Sequence, residues 1–102
     1  MSPELEHFSK IDFNLFVVFM AVYEERGFTR AAKRLNVGQP AISNSIAKLR
    51  KILGDRLFIA NSRSFRATPR ATLLAAVIGP FLSRLYLATL YPPVPQGQSA
   101  DS

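Results

Sequence analysis

Apolar residues recur at helical spacing in the first half of the chain and predict two successive helices. Residues 13–26 carry a broad apolar stripe, with Asp12 placed to cap the N-terminus and Gly27 placed to cap the C-terminus. A second, shorter helix is predicted from Thr29, as its N-cap, to Leu35.

A third helix is predicted after the turn-forming residues 36–38. It opens at Gln39 and Pro40, because proline is well tolerated in the first turn of a helix. Gly54 provides the stop signal. The apolar positions between are spaced by four, three and four residues, which predicts one narrow buried stripe made of Ile42, Ile46, Leu49 and Leu53.

Two short apolar runs and a long apolar stretch follow and predict a hairpin and a final helix. Residues 57–59 and 65–67 have strand character, and the polar residues 60–64 between them have the length of a hairpin tip. The pair Thr68-Pro69 is a strong helix start, and the apolar pattern predicts a helix from there to residue 90.

This order of elements predicts a mainly α fold: a winged helix-turn-helix, with three helices and a two-stranded wing, followed by a long helix. One domain fits the length of 102 residues. We expect a flexible lead-in at 1–10, the winged domain at 11–68 with its helix-turn-helix at 28–47, the long helix at 69–90 and a disordered tail at 91–102.

The charge distribution suggests a polyanionic partner. Residues 26–70 contain eleven Lys or Arg residues and a single acid, Asp55, whereas the chain as a whole has a net charge of +6. Such a concentration is the electrostatic signature of nucleic-acid binding. A basic surface kept only for solubility is the alternative interpretation.

Other classes of function find little support in the composition. The chain has no Cys and one His, His7, so disulfides, a thiolate zinc site and a catalytic triad are not expected. We expect neither enzymatic activity nor a cofactor or metal. The uncharged stretch 71–83 has 13 residues, short of the roughly 18 that span a bilayer, so we expect a cytoplasmic protein without a membrane partner.

The outward face of the third helix is the predicted binding surface. If its apolar stripe faces inward, the outward positions are Gln39, Pro40, Ser43, Asn44, Ala47 and Arg50. Short polar side chains at the N-terminal end of a helix suit the reading of base edges in a major groove about 12 Å wide. The alternative is that these residues are a solvated helix face.

The same residues carry a family resemblance. The run FTRAAKRLNVGQPAIS at residues 28–43 resembles the helix-turn-helix of LysR-type transcriptional regulators, and the likeness covers 11–69 without a gap. The opening residues 12–15 and the pair Leu49-Arg50 are most similar to the nodulation-regulator branch. Further matching positions are Ile46, Gly54, Asp55, Leu57, Phe58, Arg63, Thr68 and Pro69.

The resemblance implies binding to double-stranded DNA. Thr29 and Arg30 would meet backbone phosphate, the start of the third helix would face the major groove, and Arg63 would enter a flanking minor groove. Basic residues of the second helix and around the hairpin would hold further phosphates. The complete predicted set is Thr29, Arg30, Arg34, Gln39, Pro40, Ser43, Asn44, Lys48, Arg50, Arg63 and Arg66.

The long helix corresponds in the family to the linker helix, through which two subunits pair. Fourteen of residues 71–90 are Ala, Val, Ile, Leu, Phe or Tyr, more than one face can bury against a small domain. The alternative is a helix folded back on its own domain. We predict a homodimer through Leu74, Val77, Ile78, Phe81, Leu82 and Leu85.

Three departures from the family pattern bear on these expectations. Gly38 stands where the family usually has a serine cap, and Ala60 and Ser62 replace a basic residue and a glycine of the wing. The pair Gly79-Pro80 interrupts the linker helix and predicts a kink or an altered dimer geometry.

The family normally continues into an effector-binding domain, whereas this chain ends twelve residues after Leu90. We expect either an excised fragment or a stand-alone DNA-binding module. The main hypothesis is therefore a dimeric DNA-binding regulator that lacks the effector-binding domain. The alternative is a short interaction protein that pairs through its last helix with a full-length regulator and modulates it.

Overall fold

The structure is a computed structural model that describes residues 2–90, so the predicted disordered tail at 91–102 lies outside the described residues. The elements in chain order are α1 (Pro3–Ser9), α2 (Asn14–Glu25), α3 (Phe28–Leu35), α4 (Gln39–Leu53), β1 (Phe58–Ala60), β2 (Phe65–Ala67) and α5 (Pro69–Leu90). The predicted order of helices, hairpin and long helix is confirmed, with one helix added at the front.

The core forms where α2, α3 and α4 pack together beneath the wing. The ring centroid of Phe19 in α2 lies 5.1 Å from that of Phe58 in β1, and Phe58 in turn lies 5.4 Å from Phe65 of β2. The predicted inner stripe of α4 is confirmed, since Ile42, Ile46 and Leu49 are fully buried and Leu53 is partly buried.

The residues that begin and end α2 and α3 differ from the prediction. Asp12 does accept the backbone N–H of Asn14 at 2.9 Å, as a capping carboxylate would. Gly27 is not the C-cap of α2, because Arg26 itself adopts the left-handed conformation with φ 53°. Gly27 is instead the N-cap of α3, so Thr29 lies inside that helix and its predicted capping role is wrong.

Within the lead-in predicted at 1–10, Pro3–Ser9 form α1, a helix that the sequence did not predict. The hydroxyl of Ser2 accepts the backbone N–H of Glu4 and also donates to the Glu4 carboxylate, and Pro3 occupies the first turn. The acidic residues Glu4 and Glu6 in the first turn stabilise the helix through their favourable interaction with the helix dipole. The helix buries none of its residues, and Phe8 contacts Phe16 edge-on at 6.2 Å.

The wing is an antiparallel pair in which Phe58 faces Ala67 and Ala60 faces Phe65. β1 begins one residue later than predicted, because Leu57 has φ 65° and cannot continue a strand. Thr68 caps α5 as predicted: its hydroxyl accepts the N–H of Ala71 at 3.1 Å.

Helix α5 continues through Pro80 and packs one side on the winged domain. The buried residues on that side are Ala71, Ala75 and Ile78. By length and composition α5 meets the criterion for a bilayer span, since it has 22 residues and contains an 18-residue window with a mean hydropathy of 1.7. The packing against α2 gives the inner side of α5 a protein environment.

Candidate nucleic-acid interface

The N-terminal turns of α4 present the side chains that were selected from the sequence. Gln39, Pro40 and Asn44 are exposed, and Ser43 is half-buried beside them. Gly38 precedes the helix in an extended conformation and supplies no side-chain cap, so the first backbone N–H groups of α4 are not covered by a capping side chain. The prediction that this end of α4 faces outward is confirmed.

One contact orders this surface. The Thr29 hydroxyl of α3 donates to Oε1 of Gln39 at 3.3 Å. Within residues 2–90 no partner is recorded for the amide nitrogen of Gln39, so its two N–H donors are available to a ligand. Thr29 thus lies beside the α4 residues it was grouped with, and it orients one of them.

Arg30 of α3, a predicted phosphate contact, is hydrogen-bonded to the protein instead. Arg30 donates from Nε and Nη2 to the carbonyl of Glu25, at 2.8 and 2.6 Å, and from Nη2 to the carbonyl of Arg26 at 2.9 Å. These bonds satisfy carbonyls at the C-terminal end of α2. A phosphate contact by Arg30 is therefore restricted to Nη1.

Arg34 is paired with acidic side chains. Its Nη1 lies 2.7 Å from Glu24 and 3.2 Å from Glu25. The hydrogen bond with Glu24 raises the pKa of Arg34 above its usual range. A phosphate would have to compete with two carboxylates here, so the geometry disfavours the predicted role of Arg34 in DNA binding.

The prediction that Arg50 projects outward is wrong. Its Nε donates to the carbonyl of Arg56 at 2.6 Å, and its Nη2 donates to the carbonyl of Phe58 at 2.9 Å. The side chain is half-buried and runs from α4 to the base of the wing. Its fork of donors matches two neighbouring carbonyls, which explains why it turns inward.

Other cations do remain exposed toward solvent. Among the described residues, no hydrogen bond or ion pair is recorded for the side chains of Lys48, Arg63 and Arg66, all predicted from the sequence. Within residues 26–70 the same holds for four cations that sequence reasoning did not select: Lys33, Lys51, Arg56 and Arg70. The available signal was the scarcity of acidic partners in their segment.

The wing tip holds Arg63 on a defined turn. Oδ1 of Asn61 accepts the backbone N–H of Arg63 at 2.8 Å and that of Ser64 at 3.0 Å. The Asn61 N–H donates to the carbonyl of Ser64 at 2.9 Å. An asparagine that closes its own turn in this way fixes the backbone from which Arg63 extends.

The outer side of α5 differs from the predicted pairing set. Val77, Phe81 and Leu85 are exposed, at 68, 49 and 43%, as a pairing face requires. Ile78 is only 6% exposed and belongs to the core of its own domain, so its predicted role in dimerisation is wrong. Leu74 and Leu82 also pack against that core.

Further exposed apolar residues of α5 were missed, namely Leu73, Tyr86, Leu87 and Leu90. The signal that could have found Leu73 is the pair Ala71 and Ala75: small residues four apart mark the side of a helix that approaches its neighbour closely. The large residues on the opposite side are then the exposed ones.

Comparison with known proteins gives the family. Residues 13–72 match the bacterial regulatory helix-turn-helix protein, lysR family. Nodulation protein D 1 of Rhizobium meliloti (strain 1021) is 41% identical over 83 residues, which are 81% of this chain and 27% of that relative. The chain therefore spans about a quarter of the length of this curated relative. The identity to a nodulation protein agrees with the resemblance to the nodulation-regulator branch.

Two solved structures share the fold. The probable transcriptional regulator PA0477 from Pseudomonas aeruginosa superposes with a TM-score of 0.77 at 33% identity, covering 90% of this chain and 31% of that one. The BenM DBD, in its complex with catB site 1 DNA, has a TM-score of 0.72 at 30% identity, covering 78% and 89%. The chain belongs to the LysR family of bacterial regulatory helix-turn-helix proteins.

Proposed function

We propose that this chain binds specific sites in double-stranded DNA as a transcriptional regulator and reads base edges with the N-terminal turns of α4. The observation that carries the proposal is the exposure of Gln39, Pro40 and Asn44, with Ser43 beside them, on a helix whose opposite side is fully buried. The BenM DBD, at 30% identity, has been crystallised with DNA. This function involves no enzymatic activity, and we place the protein in the cytoplasm.

The chemistry of these side chains suits a major groove. An α-helix is about 10–12 Å across and the groove is about 12 Å wide. Asn and Gln amides pair in bidentate fashion with adenine, and Ser can donate to or accept from several bases. Asn44, and Gln39 with an amide nitrogen that has no partner within residues 2–90, are therefore the side chains of this surface best able to discriminate bases.

The cations that have no partner in the described part of the chain supply the remaining affinity. Lys48 lies on α4 itself, and Arg66 lies on β2. Arg63 extends from the ordered wing tip, from where it would enter a flanking minor groove. Each phosphate contact made by such residues releases counterions, so the affinity falls steeply with salt.

Two copies of the chain would bind together. Leu73, Val77 and Phe81 form an exposed apolar strip along α5, and pairing with the same strip of a second copy would remove it from water. The two α4 helices would then address half-sites about 34 Å apart, or a multiple of that distance.

The test is selection of binding sites from a random duplex library, followed by affinity measurements on the enriched sequence. Wild-type protein should enrich one motif. Asn44→Ala and Gln39→Ala should each relax the preference at one position, by roughly 1–3 kcal/mol per lost base contact. Asn14→Ala removes an exposed amide at the start of α2 and is the matched control, which should leave the motif unchanged. Absence of duplex affinity at low salt would contradict the proposal.

A second candidate function rests on the same strip of α5. Its exposed apolar residues would also pair with the corresponding helix of a longer regulator of the family, and the chain would then modulate that regulator. Recovery of homodimers alone from the native cell would rule this out, whereas a mixed complex would support it.

A further inference from the structure

The root of the wing contains a strained turn. Leu57 has φ 65°, although it is a bulky residue and fully buried. The N–H of Phe58 donates to the carbonyl of Arg56 at 2.7 Å, which closes a three-residue turn with Leu57 at its centre. A positive φ at the centre of such a turn is rare and persists only where the surroundings enforce it.

Several contacts enforce this turn. The N–H of Leu57 donates to Oδ2 of Asp55 at 2.8 Å, and the carbonyl of Leu57 accepts the N–H of Thr68 at 2.8 Å. Arg50 holds the carbonyls on both sides of Leu57, those of Arg56 and Phe58. Among these contacts, only the Arg50 side chain joins the turn to α4.

We propose that Arg50 is a positioning residue for DNA recognition: it fixes the wing, and with it Arg63, relative to the base-reading end of α4. This inference rests on the proposed function. Arg50 acts through the wing, because its Nε and Nη2 are directed at the backbone carbonyls of Arg56 and Phe58. A lysine cannot replace it, since an ammonium group lacks the planar fork that reaches two carbonyls at once.

A matching contact holds the second strand of the wing. Nη2 of Arg26 donates to the carbonyl of Phe65 at 2.7 Å, and its guanidinium lies 5.4 Å from the centroid of the Phe65 ring. Arg26 extends from the turn between α2 and α3, however, so it ties the wing to a different part of the domain. The side chain of Arg50 links the wing to α4 itself.

The positioning role predicts that Arg50 and Arg63 are energetically coupled. If Arg50 acts by placing Arg63, its loss matters only while Arg63 is present. We expect Arg50→Gln and Arg63→Ala each to weaken binding to the selected duplex by about tenfold, or about 1.4 kcal/mol. The double variant should bind about as weakly as either single variant, which is the signature of coupling in a double-mutant cycle.

Lys51→Gln is the matched control. Lys51 follows Arg50 on α4, carries the same charge and is exposed. If it contributes charge alone, its effect should multiply with that of Arg63→Ala. Arg50→Lys keeps the charge of Arg50 and should nevertheless reproduce the coupling pattern of Arg50→Gln.

A footprint of the bound duplex separates positioning from a general loss of structure. Arg50→Gln should lose backbone protection at the flanks, where the wing contacts DNA, and keep the central protection given by α4. Circular dichroism checks that the variant is folded, and Arg50→Lys serves in its place if it is not. Equal loss at the centre and the flanks, or effects that multiply with Arg63→Ala, would overturn this inference alone. A wild-type protein without duplex affinity would overturn the proposed function and this inference with it.

Discussion

Helices α4 and α5 both carry apolar residues along their length, yet they use them in opposite ways. In α4 the large apolar residues Ile42, Ile46 and Leu49 face the core and are fully buried, and the first turns on the other side are polar. In α5 the core side carries the small residues Ala71 and Ala75 together with Ile78, whereas most of the large apolar residues lie on the outside.

The difference shows which partner each helix can accept. A polar outer side is stable in water and can exchange its hydration for hydrogen bonds to a ligand. An outer side made of Leu73 and Val77, each 68% exposed, and Phe81 is stabilised only when another apolar surface covers it. The proposed DNA-reading surface and the proposed pairing surface therefore belong to different helices and can be altered separately.

The largest effect should come from the inner stripe of α4. Ile46→Ala removes a fully buried side chain and should lower the free energy of unfolding by about 2–5 kcal/mol. Val77→Ala removes exposed methyl groups from α5 and should change the unfolding of the single chain by less than about 0.5 kcal/mol. Urea denaturation at low protein concentration measures both, and equal losses would contradict the contrast between the two helices.

The next effect should appear in self-association. Phe81→Glu places a carboxylate in the exposed strip of α5 and should weaken dimer formation by about tenfold or more, because a charge at the centre of an apolar interface is left without a partner. Analytical ultracentrifugation gives the dissociation constant. Thr72→Glu adds the same charge at an exposed polar position of α5 and is the control; an identical shift in both variants would argue against pairing through this strip.

A smaller effect distinguishes exposed cations from paired ones. Lys48→Gln should weaken DNA binding for all sequences alike and reduce the slope of log affinity against log salt by about 1. Arg34→Gln should change the slope less, because Glu24 and Glu25 already neutralise that guanidinium. Fluorescence anisotropy at several salt concentrations tests both, and the reverse order would show that Arg34 exchanges its carboxylates for phosphate.

The smallest effect concerns acid stability at the junction between α4 and α5. The Thr68 hydroxyl and the N–H of Leu57 donate to Asp55 and lower the pKa of its carboxyl from the ordinary value of 3.8. Because the folded pKa lies below the unfolded one, this stabilisation is present at neutral pH and is lost as the pH falls through the folded value. Asp55→Asn should flatten the pH dependence of the unfolding midpoint below about pH 4. An unchanged acid profile would show that this carboxyl contributes nothing to stability.

Local signals predicted most of α4 and its exposed end. The spacing of its isoleucines and leucines gave the buried side, Gly54 marked the end, and Gln39 and Asn44 followed as outward residues. The start of α5 was equally local, since the side chain of Thr68 caps the helix that it precedes. In each case the interactions that decide the structure lie within one helix or one turn.

The wrong predictions concern residues whose conformation depends on contacts with residues distant in the sequence. Arg26 takes the left-handed conformation in place of Gly27 while its side chain bonds to Phe65, 39 residues away. Arg50 turns inward because the carbonyls of a later turn receive it, and no local pattern reveals that turn. The side of α5 that packs inward was missed for another reason: its apolar residues surround the helix, so periodicity alone could not select one face.

Thr68 is the only residue between β2 and α5, and its backbone and side chain are bonded to Leu57, Asp55 and Ala71. No flexible linker therefore separates α5 from the wing, and the hydrogen bonds of Thr68 fix the direction in which α5 leaves it. In a pair of such chains, the length of α5 would set the distance and the rotation between the two α4 helices. One added residue would rotate everything beyond it by about 100° and advance it by about 1.5 Å.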